Sequence, residues 1–398
     1  MPKPPLGGVR VLDLTNVLAG PYCSYQLMLL GAEVVKIEAP GQGDLARHLG
    51  PDSELNDAGL GASFLAQNAG KDSVEIDLKD PADRADFERM VQGADVLLEN
   101  FRAGVLDRLG FGWPRLRELN PRLVYCAISG FGQAGPMSEA PAYDQIIQGL
   151  SGMMSITGTE ETAPLRVGFP VCDTVGGLTA ALHICAALAG RATTGQGTFL
   201  DVSMLESAVS AMGWAVSNYL VSGVPPEPMG TQNATAAPSG TFEAADGPLN
   251  IAANRQRQFE TLCGVVGRDD LLADPRFADR DRRKRHRDEL TAELNRALRT
   301  RTAREWERIL SESGVPAARV TSVPQAVELD QLGHRGFFTE LPFPDGSGRA
   351  LKVAGSGVLH DGEPLRPGAP PPLLGQHNSE RGRLMTRWSA AADNTVGS

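Results

Sequence analysis

Through residues 9–129, short β-branched runs alternate with segments that carry helix start and stop signals, and no feature of the chain restricts its fold more. Residues 9–14 (VRVLDL) and 33–37 (EVVKI) read as strands. Residues 21–30 between them read as a helix, with Pro21 at its first position and Gly31 closing it. Two strands joined by a helix form a βαβ unit, whose crossover is right-handed and whose strands are parallel. The pattern recurs: residues 73–78 read as a strand, Asp80 caps and Pro81 opens a helix to residue 92, and residues 95–99 read as the next strand. Short helices at 104–109 and 114–119 and a strand at 123–129 continue it. The expected fold class is α/β, a doubly wound Rossmann-like parallel sheet.

A sheet of this kind binds a dinucleotide when its first strand-to-helix turn is GxGxxG, because glycine lets the backbone approach a pyrophosphate. Here the turn is Thr15-Asn16-Val17-Leu18-Ala19-Gly20-Pro21, with one glycine and then a proline. The chain also lacks a GxxxxGK[ST] loop and a GxSxG elbow, which counts against nucleoside triphosphatases and α/β-hydrolases. Its 398 residues exceed what one hydrophobic core usually holds, so a second domain is expected. Residues 1–222 read as the large domain, ending in one long apolar helix at 204–221. Residues 223–240 read as a linker, with three prolines between 223 and 230. Residues 241–322 read as a smaller α+β domain, with a hairpin around Asp246-Gly247 and helices at 256–266, 288–298 and 302–312. Residues 323–375 read as a return linker with strand segments near 337–343 and 351–353, and residues 376–398 as a tail returning to the large domain. The run 279–288 carries seven basic residues and reads as a solvated face.

A net charge of −10 argues against a nucleic-acid partner, so a polyanionic ligand would have to be met by local basic residues. Five scattered cysteines without a CxxC pair indicate neither a zinc cage nor a disulfide framework, and fit a reducing, cytoplasmic setting. Six histidines form no paired-ligand spacing, so no metal site is expected. No basic flank followed by an apolar core opens the chain, and no apolar run of membrane-spanning length is read, so no membrane partner is expected.

The stretch Gly168-Phe169-Pro170-Val171-Cys172-Asp173-Thr174-Val175-Gly176-Gly177 runs into the apolar residues 178–189. A loop, an acid, small residues and a buried helix place Asp173 at the mouth of a helix N-terminus. A carboxylate there is either a cap or a nucleophile, because Asp is among the best N-cap residues. Cys172 beside it is a thiol in principle and a small packing residue by preference.

These residues resemble the class III CoA-transferases, the family of formyl-CoA transferase, carnitine CoA-transferase and the succinyl-CoA-dependent dicarboxylate transferases. The likeness runs over nearly the whole chain. Its pieces are Val11-Leu12-Asp13-Leu14 with Ala19-Gly20-Pro21, Gly31-Ala32-Glu33-Val34-Val35-Lys36-Ile37-Glu38 before Gly43-Asp44, Glu99-Asn100-Phe101 ahead of Leu106-Asp107-Arg108-Leu109-Gly110, and Ser129-Gly130-Phe131-Gly132. Further pieces are Tyr143-Asp144, the Asp173 stretch, Thr194-Gly195-Gln196-Gly197, Asp274-Pro275-Arg276-Phe277 and Leu373-Leu374-Gly375-Gln376-His377. The resemblance implies that Asp173 is the catalytic aspartate, attacking a donor thioester to give an enzyme-acyl anhydride and then an aspartyl-CoA thioester. It implies CoA contacts at Val17, Leu18 and Ala19, at Ile76, Asp77, Leu78 and Lys79, at Asn100 and Phe101, at Arg108, and at Ala140, Pro141, Ala142 and Tyr143. It also implies an interlocked homodimer, with CoA as substrate rather than as a permanently bound cofactor.

The chain departs from the formyl-type members at Leu18 and Ala39, where they carry Gln and Arg, and in having no run of consecutive glycines within 231–247. The related 2-methylacyl-CoA racemases use a histidine immediately before an aspartate. Here that position is Tyr143, a phenol of reference pKa near 10 and a poor proton shuttle, so transferase is preferred to racemase. The segments Leu165-Arg166-Val167-Gly168 and 370–377 look most like the dicarboxylate transferases, which points to succinyl-CoA and a small dicarboxylic acid. A CoA-binding protein without turnover is the remaining alternative, and one that had lost catalysis would also have lost Asp173.

Overall fold

The structure is a computed structural model that describes residues 4–384 and Trp388. Residues 1–3, 385–387 and 389–398 lie outside the described residues, and with them most of the far end of the expected tail. Two compact units divide the chain. One comprises residues 1–153, 166–224 and 330–398, the other residues 154–165 and 225–329.

In the first unit, six strands form one parallel sheet: β1 (Arg10–Asp13), β2 (Glu33–Glu38), β3 (Asp72–Glu75), β4 (Val96–Glu99), β5 (Val124–Ser129) and β6 (Thr198–Ser203). Their order is β3-β2-β1-β4-β5-β6. Successive side chains of a strand point to opposite faces, and here both faces are covered. Val11, Val34, Leu98 and Cys126 pack on one face, with helices α1 (Ala19–Leu29) and, later in the chain, α4 (Val171–Thr194). Leu12, Val35, Leu97 and Tyr125 pack on the other, against Phe87, Met90 and Val91 of α2 (Pro81–Gly93). The sheet is therefore doubly wound. Asp80 caps α2 by accepting from the N–H groups of Ala82 and Asp83, and Pro81 occupies the first turn. Gly31, at φ +96°, ends the turn after α1 in a conformation that disfavours any side chain.

Two helices lie between β5 and β6. The short α3 (Asp144–Leu150) precedes the 24-residue α4. Helix α4 starts at Val171, two residues before the helix mouth read at Asp173, and by length and composition it is long and apolar enough to cross a membrane. Its buried positions, Cys172, Gly176, Gly177, Ala180, Ala181 and Ile184, recur every three or four residues and pack into the core with α1. Leu178 and Leu182 stand on its exposed side.

The single helix expected at 204–221 is two helices, α5 (Met204–Ala211) and α6 (Trp214–Ser222). The chain breaks at Gly213, whose φ of 45° and ψ of −103° only glycine tolerates, and an apolar pattern on all sides hid the break.

The second unit is built on a three-stranded antiparallel sheet, β7 (Ser239–Glu243), β8 (Pro248–Ala252) and β9 (Ala317–Arg319). The three-residue β9 is too short to show in the sequence. Helices Gln256–Val265, Arg287–Leu298 and Ala303–Glu312 bury Phe259, Leu294, Trp306 and Leu310 against Phe242 and Leu249. The basic run 279–288 is only partly a solvated face. Arg283 is buried, donates to Ala237 O, Phe277 O and Gln256 Oε1, and lies 4.4 Å over the Phe259 ring. Those acceptors and the ring face satisfy a guanidinium that burial would otherwise penalise.

From residue 330 the chain belongs to the first unit again and adds a hairpin, β10 (Phe338–Pro342) with β11 (Ala350–Ala354). It then reaches the free edge of β3. There the Ser73 N–H donates to His377 Nδ1 at 3.0 Å, the His377 N–H donates to Ser73 O, and the Asn378 side chain bonds Glu75. Trp388 is buried in the α2 side of the core.

Candidate active site

In a sheet of order 3-2-1-4-5-6 the chain leaves β1 toward one edge and β4 toward the other, so the loops after these neighbouring strands part and leave a crevice. Two adjoining clefts fill that place. One, of about 300 Å³, is lined by Val17, Leu18, Ala19, Asn100, Phe101, Ala140, Pro141, Ala142, Tyr143, Asp173 and Met204, among others. The other, of about 250 Å³, is lined by Asp44, Ile76, Asp77, Leu78, Lys79 and Phe101, among others. Asn16 and Phe101 belong to both walls. The structure thus brings together every residue singled out in the sequence except Arg108. That side chain is exposed at the end of the short helix Val105–Arg108 and lines neither cleft. Arg102 lines the larger cleft instead.

The loop after β1 replaces the glycine-rich turn with a strained valine. Val17 has φ +68°, a backbone region that costs a β-branched residue about 1–3 kcal/mol and persists only where neighbours enforce it. Those neighbours are polar, with Asp44 buried and Asn100 half-buried. Asp44 Oδ1 accepts from the Val17 N–H at 2.9 Å, while Asn100 Oδ1 accepts from the Asn16 N–H and Asn100 Nδ2 donates to Asn16 O, both at 2.8 Å. Below them Lys36 Nζ pairs with Asp44 at 2.9 Å and donates to Thr15 O, and Lys71 Nζ pairs with Asp13 at 3.1 Å. Burial disfavours charge on Asp13, yet Lys36 and Lys71 hold its carboxyl far below the usual range. Burial brings Lys71 down to about 8 despite the attraction of Asp13. This network fixes the β1 loop to the β2 and β4 loops.

Asp173 is not the cap of α4. Pro170 occupies the N-cap position with no side-chain cap bond, and Asp173 lies inside the first turn. The donor that a cap would satisfy, the Cys172 N–H, goes to Asp144 Oδ1 on α3 at 2.8 Å. Among the described residues the Asp173 carboxylate makes no hydrogen bond or salt bridge, although it is more than half buried on the cleft wall. Burial first, and then the nearby Asp144 charge, raise its pKa to about 7 against the opposing pull of Arg166. An uncommitted carboxylate that titrates near neutrality is suited to nucleophilic or acid–base work. Cys172 is fully buried and its thiol is pushed up to about 12, chiefly by burial, so it packs and does not react. The small residues after the acid let α4 lie close to the rest of the wall. A Cβ on Gly177 would stand 2.4 Å from Ala19 O, and one on Gly176 would stand 3.1 Å from Met204 Cγ.

Sequence reading missed Asp144 as a structural partner of the acid. Its one signal was the pairing Tyr143-Asp144 at the start of a helix. Tyr143 itself is 69% exposed on the cleft wall.

A doubly wound parallel sheet whose switch-point crevice holds a free carboxylate, without a phosphate-binding glycine turn, defines a class of α/β protein distinct from the dinucleotide binders. The chain belongs to CoA-transferase family III, whose family model matches residues 6–378. It is 40% identical over 370 residues to the acetyl-CoA:oxalate CoA-transferase of Acetobacter aceti, covering 93% of each chain. It is 34% identical to the succinyl-CoA:glutarate CoA-transferase of Mus musculus, covering 98% of this chain and 88% of that one. Among solved structures it is similar to a CaiB/BaiF family protein from Brucella suis, with a TM-score of 0.84 at 33% identity, covering 96% of this chain and 99% of that one. The protein is a CoA-transferase, and acyl-CoA thioesters and carboxylic acids are its substrates.

Proposed function

We propose that the protein moves CoA from succinyl-CoA, or a similarly short acyl-CoA, to a small dicarboxylic acid, with Asp173 as the nucleophile. The observation that carries this reading is the Asp173 carboxylate, unbonded among the described residues, on the wall of a cleft at the sheet's switch point. Two relatives are named for transfer to dicarboxylates, oxalate and glutarate, which supports the choice of acceptor.

In the proposed cycle an Asp173 oxygen adds to the thioester carbonyl carbon, and the tetrahedral oxyanion expels CoA thiolate to leave a mixed anhydride. The thiolate attacks the aspartyl carbonyl of that anhydride, releasing the donor carboxylate and forming an aspartyl-CoA thioester. The acceptor carboxylate attacks this thioester and expels CoA thiolate to form a second mixed anhydride, and the thiolate then attacks the acceptor's carbonyl, releasing the new acyl-CoA and free Asp173. The positive end of α4 favours the anions formed beside it.

CoA would occupy both clefts, with the thioester beside Asp173, Ala140, Pro141, Ala142 and Tyr143, Phe101 and Asn100 at the junction, and Lys79 meeting phosphate charge at the far end. Val17, Leu18 and Ala19 would face the pantetheine arm, and Ile76, Asp77 and Leu78 the nucleotide end. Arg108, exposed beside these walls, would contribute by long-range attraction for phosphate. The exposed apolar side chains of α6 support a homodimer, and five unpaired cysteines support a cytoplasmic location.

The test is a panel of acyl-CoA donors against mono- and dicarboxylic acceptors, followed by mass spectrometry. We expect succinyl-CoA with a dicarboxylate in the range from oxalate to glutarate, the acceptors named in the two relatives, to turn over fastest. Incubation with acyl-CoA and then hydroxylamine should leave a hydroxamate on Asp173 alone. Exchange without any hydroxamate on the peptide bearing Asp173 would refute the covalent cycle.

A further inference from the structure

The first turn of α4 is held from outside its own segment. Helix N-termini present orphan N–H groups, and Pro170 supplies no side-chain acceptor for them. The acceptor is Asp144, 28 positions earlier in the chain and buried at the start of α3. Its Oδ1 takes the Cys172 N–H at 2.8 Å. Its Oδ2 takes Gln148 Nε2 at 2.7 Å and faces Arg166 at 3.4 Å. Gln148 is itself committed: its Oε1 accepts from the Val167 N–H at 2.9 Å, and its Nε2 also reaches Phe169 O at 3.3 Å. Two side chains one turn apart on α3 therefore fasten the loop before α4 at 166, 167 and 169 and the helix's first turn at 172, and Asp173 is the next residue.

A neutral Asn or Ser would satisfy the Cys172 N–H about as well as a carboxylate. Using a second buried carboxylate beside Asp173 has a further effect, because like charges close together oppose each other's ionisation. The charged or titratable groups that act on Asp173 are Asp144 on α3 and Arg166 on the preceding loop. The neutral Cys172 thiol is its chain neighbour.

We propose that Asp144 is a positioning residue for the transfer reaction: it fixes the first turn of α4 so that Asp173 faces the cleft, and its fixed negative charge makes Asp173 a more basic and stronger nucleophile. This rests on the reading of Asp173 as the nucleophile. The rise of the Asp173 pKa to about 7, with Asp144 as its largest cause after burial, agrees with the second half of the proposal. Arg166, 45% exposed at its side chain, limits that rise and keeps an ionised fraction available near neutral pH.

The experiment compares Asp144→Asn, the double variant Asp144→Asn with Gln148→Glu, and Arg166→Gln, each as the full chain. In Asp144→Asn the amide oxygen still accepts from the Cys172 N–H, but the amide nitrogen meets the Gln148 donor and the charge is gone. The double variant places a carboxylate oxygen opposite that nitrogen, keeps an acceptor for the Val167 N–H and restores a negative charge one side chain away. We expect kcat of Asp144→Asn to fall by about 10- to 100-fold with KM for acyl-CoA within about threefold, since an interaction acting on the reacting group is lost and the CoA walls are untouched. The acid limb of its kcat/KM profile should move to lower pH by about one unit, and the double variant should recover about tenfold in kcat with the limb moved back up. Arg166→Gln should move the limb upward as a control on charge at this site, and Asp144→Ser, which keeps an acceptor for the Cys172 N–H without a charge, reads the Asp144 coupling if Asp144→Asn does not fold. An acid limb that stays in place in Asp144→Asn, or in Asp144→Ser where the former does not fold, overturns the proposal. The parent's hydroxamate separates the two failures. If it forms on Asp173 while the limb stays in place, only the role of Asp144 is wrong, and if it does not form, the nucleophile reading fails and this proposal falls with it.

Discussion

Asp173 is held at a cost to stability that the proposed nucleophilic role would explain. Its folded pKa, near 7, lies above the ordinary aspartate value of 3.8, so the fold favours the protonated form. That contribution is fully present below about pH 4 and is lost as pH rises through about 7, where the parent must carry a partly buried, unbonded charge. Asp173→Asn should therefore melt close to the parent only at about pH 4, before the unfolded carboxyl ionises. At pH 8.5 it should be more stable by about 1–3 kcal/mol, a range taken from 1.36 kcal/mol per pKa unit and discounted for solvent screening. Thermal melts at the two pH values check this, and equal stability at pH 8.5 would mean that Asp173 is not perturbed. If Asp173 is the proposed nucleophile, the same variant should lose activity by several orders of magnitude, and the parent's kcat/KM should fall about tenfold per pH unit below 7 as its carboxylate is protonated. The acid itself was legible in the sequence, since a loop, an acid and small residues before an apolar run announce a helix mouth. Its partner was not legible. Asp144 reaches the Cys172 N–H only because the fold lays α3 against the start of α4, and no local pattern encodes a cap that arrives from 28 positions away.

At the level of elements, the glycines of α4 divide by what surrounds them. Gly177 lies against backbone, since a Cβ there would meet Ala19 O at 2.4 Å, and backbone cannot swing aside as a side chain does. Gly177→Ala should destabilise by about 1–3 kcal/mol, the usual range for overpacking, and should shift α4 from α1. Ala19 and Asp173 line the same cleft, so activity should fall about 10- to 100-fold through misplacement of the proposed nucleophile. Gly190, exposed on the same helix with nothing within 4 Å of where its Cβ would stand, is the control. Gly190→Ala should be neutral in activity and stabilise by up to about 1 kcal/mol. Denaturant melts with activity measurements distinguish the two, and equal effects would show that α4 does not need its close approach to α1. Elements whose ends carry their own chemistry, such as α2 with Asp80 and Pro81, could be placed from sequence to within a residue. The break at Gly213 could not, because residues on both sides are apolar and the glycine's φ depends on the packing around it.

For the whole molecule, alternation of buried strands and punctuated helices was enough to give the doubly wound sheet, and the strand order then fixed where a ligand could sit. What the sheet leaves open is its apolar exterior. Trp214 is 80% exposed, Leu220 75% and Val221 88% on α6, and Leu182 on α4 is 67% exposed. Singly exposed apolar residues are ordinary, but four large ones, Tyr219 included, on a nine-residue helix with no buried position form a surface that water disfavours. A second copy of the chain would cover it, in line with the homodimer proposed above. Light scattering should then give twice the chain mass at micromolar concentration. The melting temperature should rise with protein concentration, because association stabilises the folded state by mass action. Placing acids at the centre of the surface, as Leu220→Asp with Val221→Asp, should abolish the dimer, since unpaired charges would have to be buried in it, and should lower the melting temperature. A monodisperse folded monomer of the parent, with a melting temperature independent of concentration, would show that α6 stays exposed in solution and that the active site is complete within one chain.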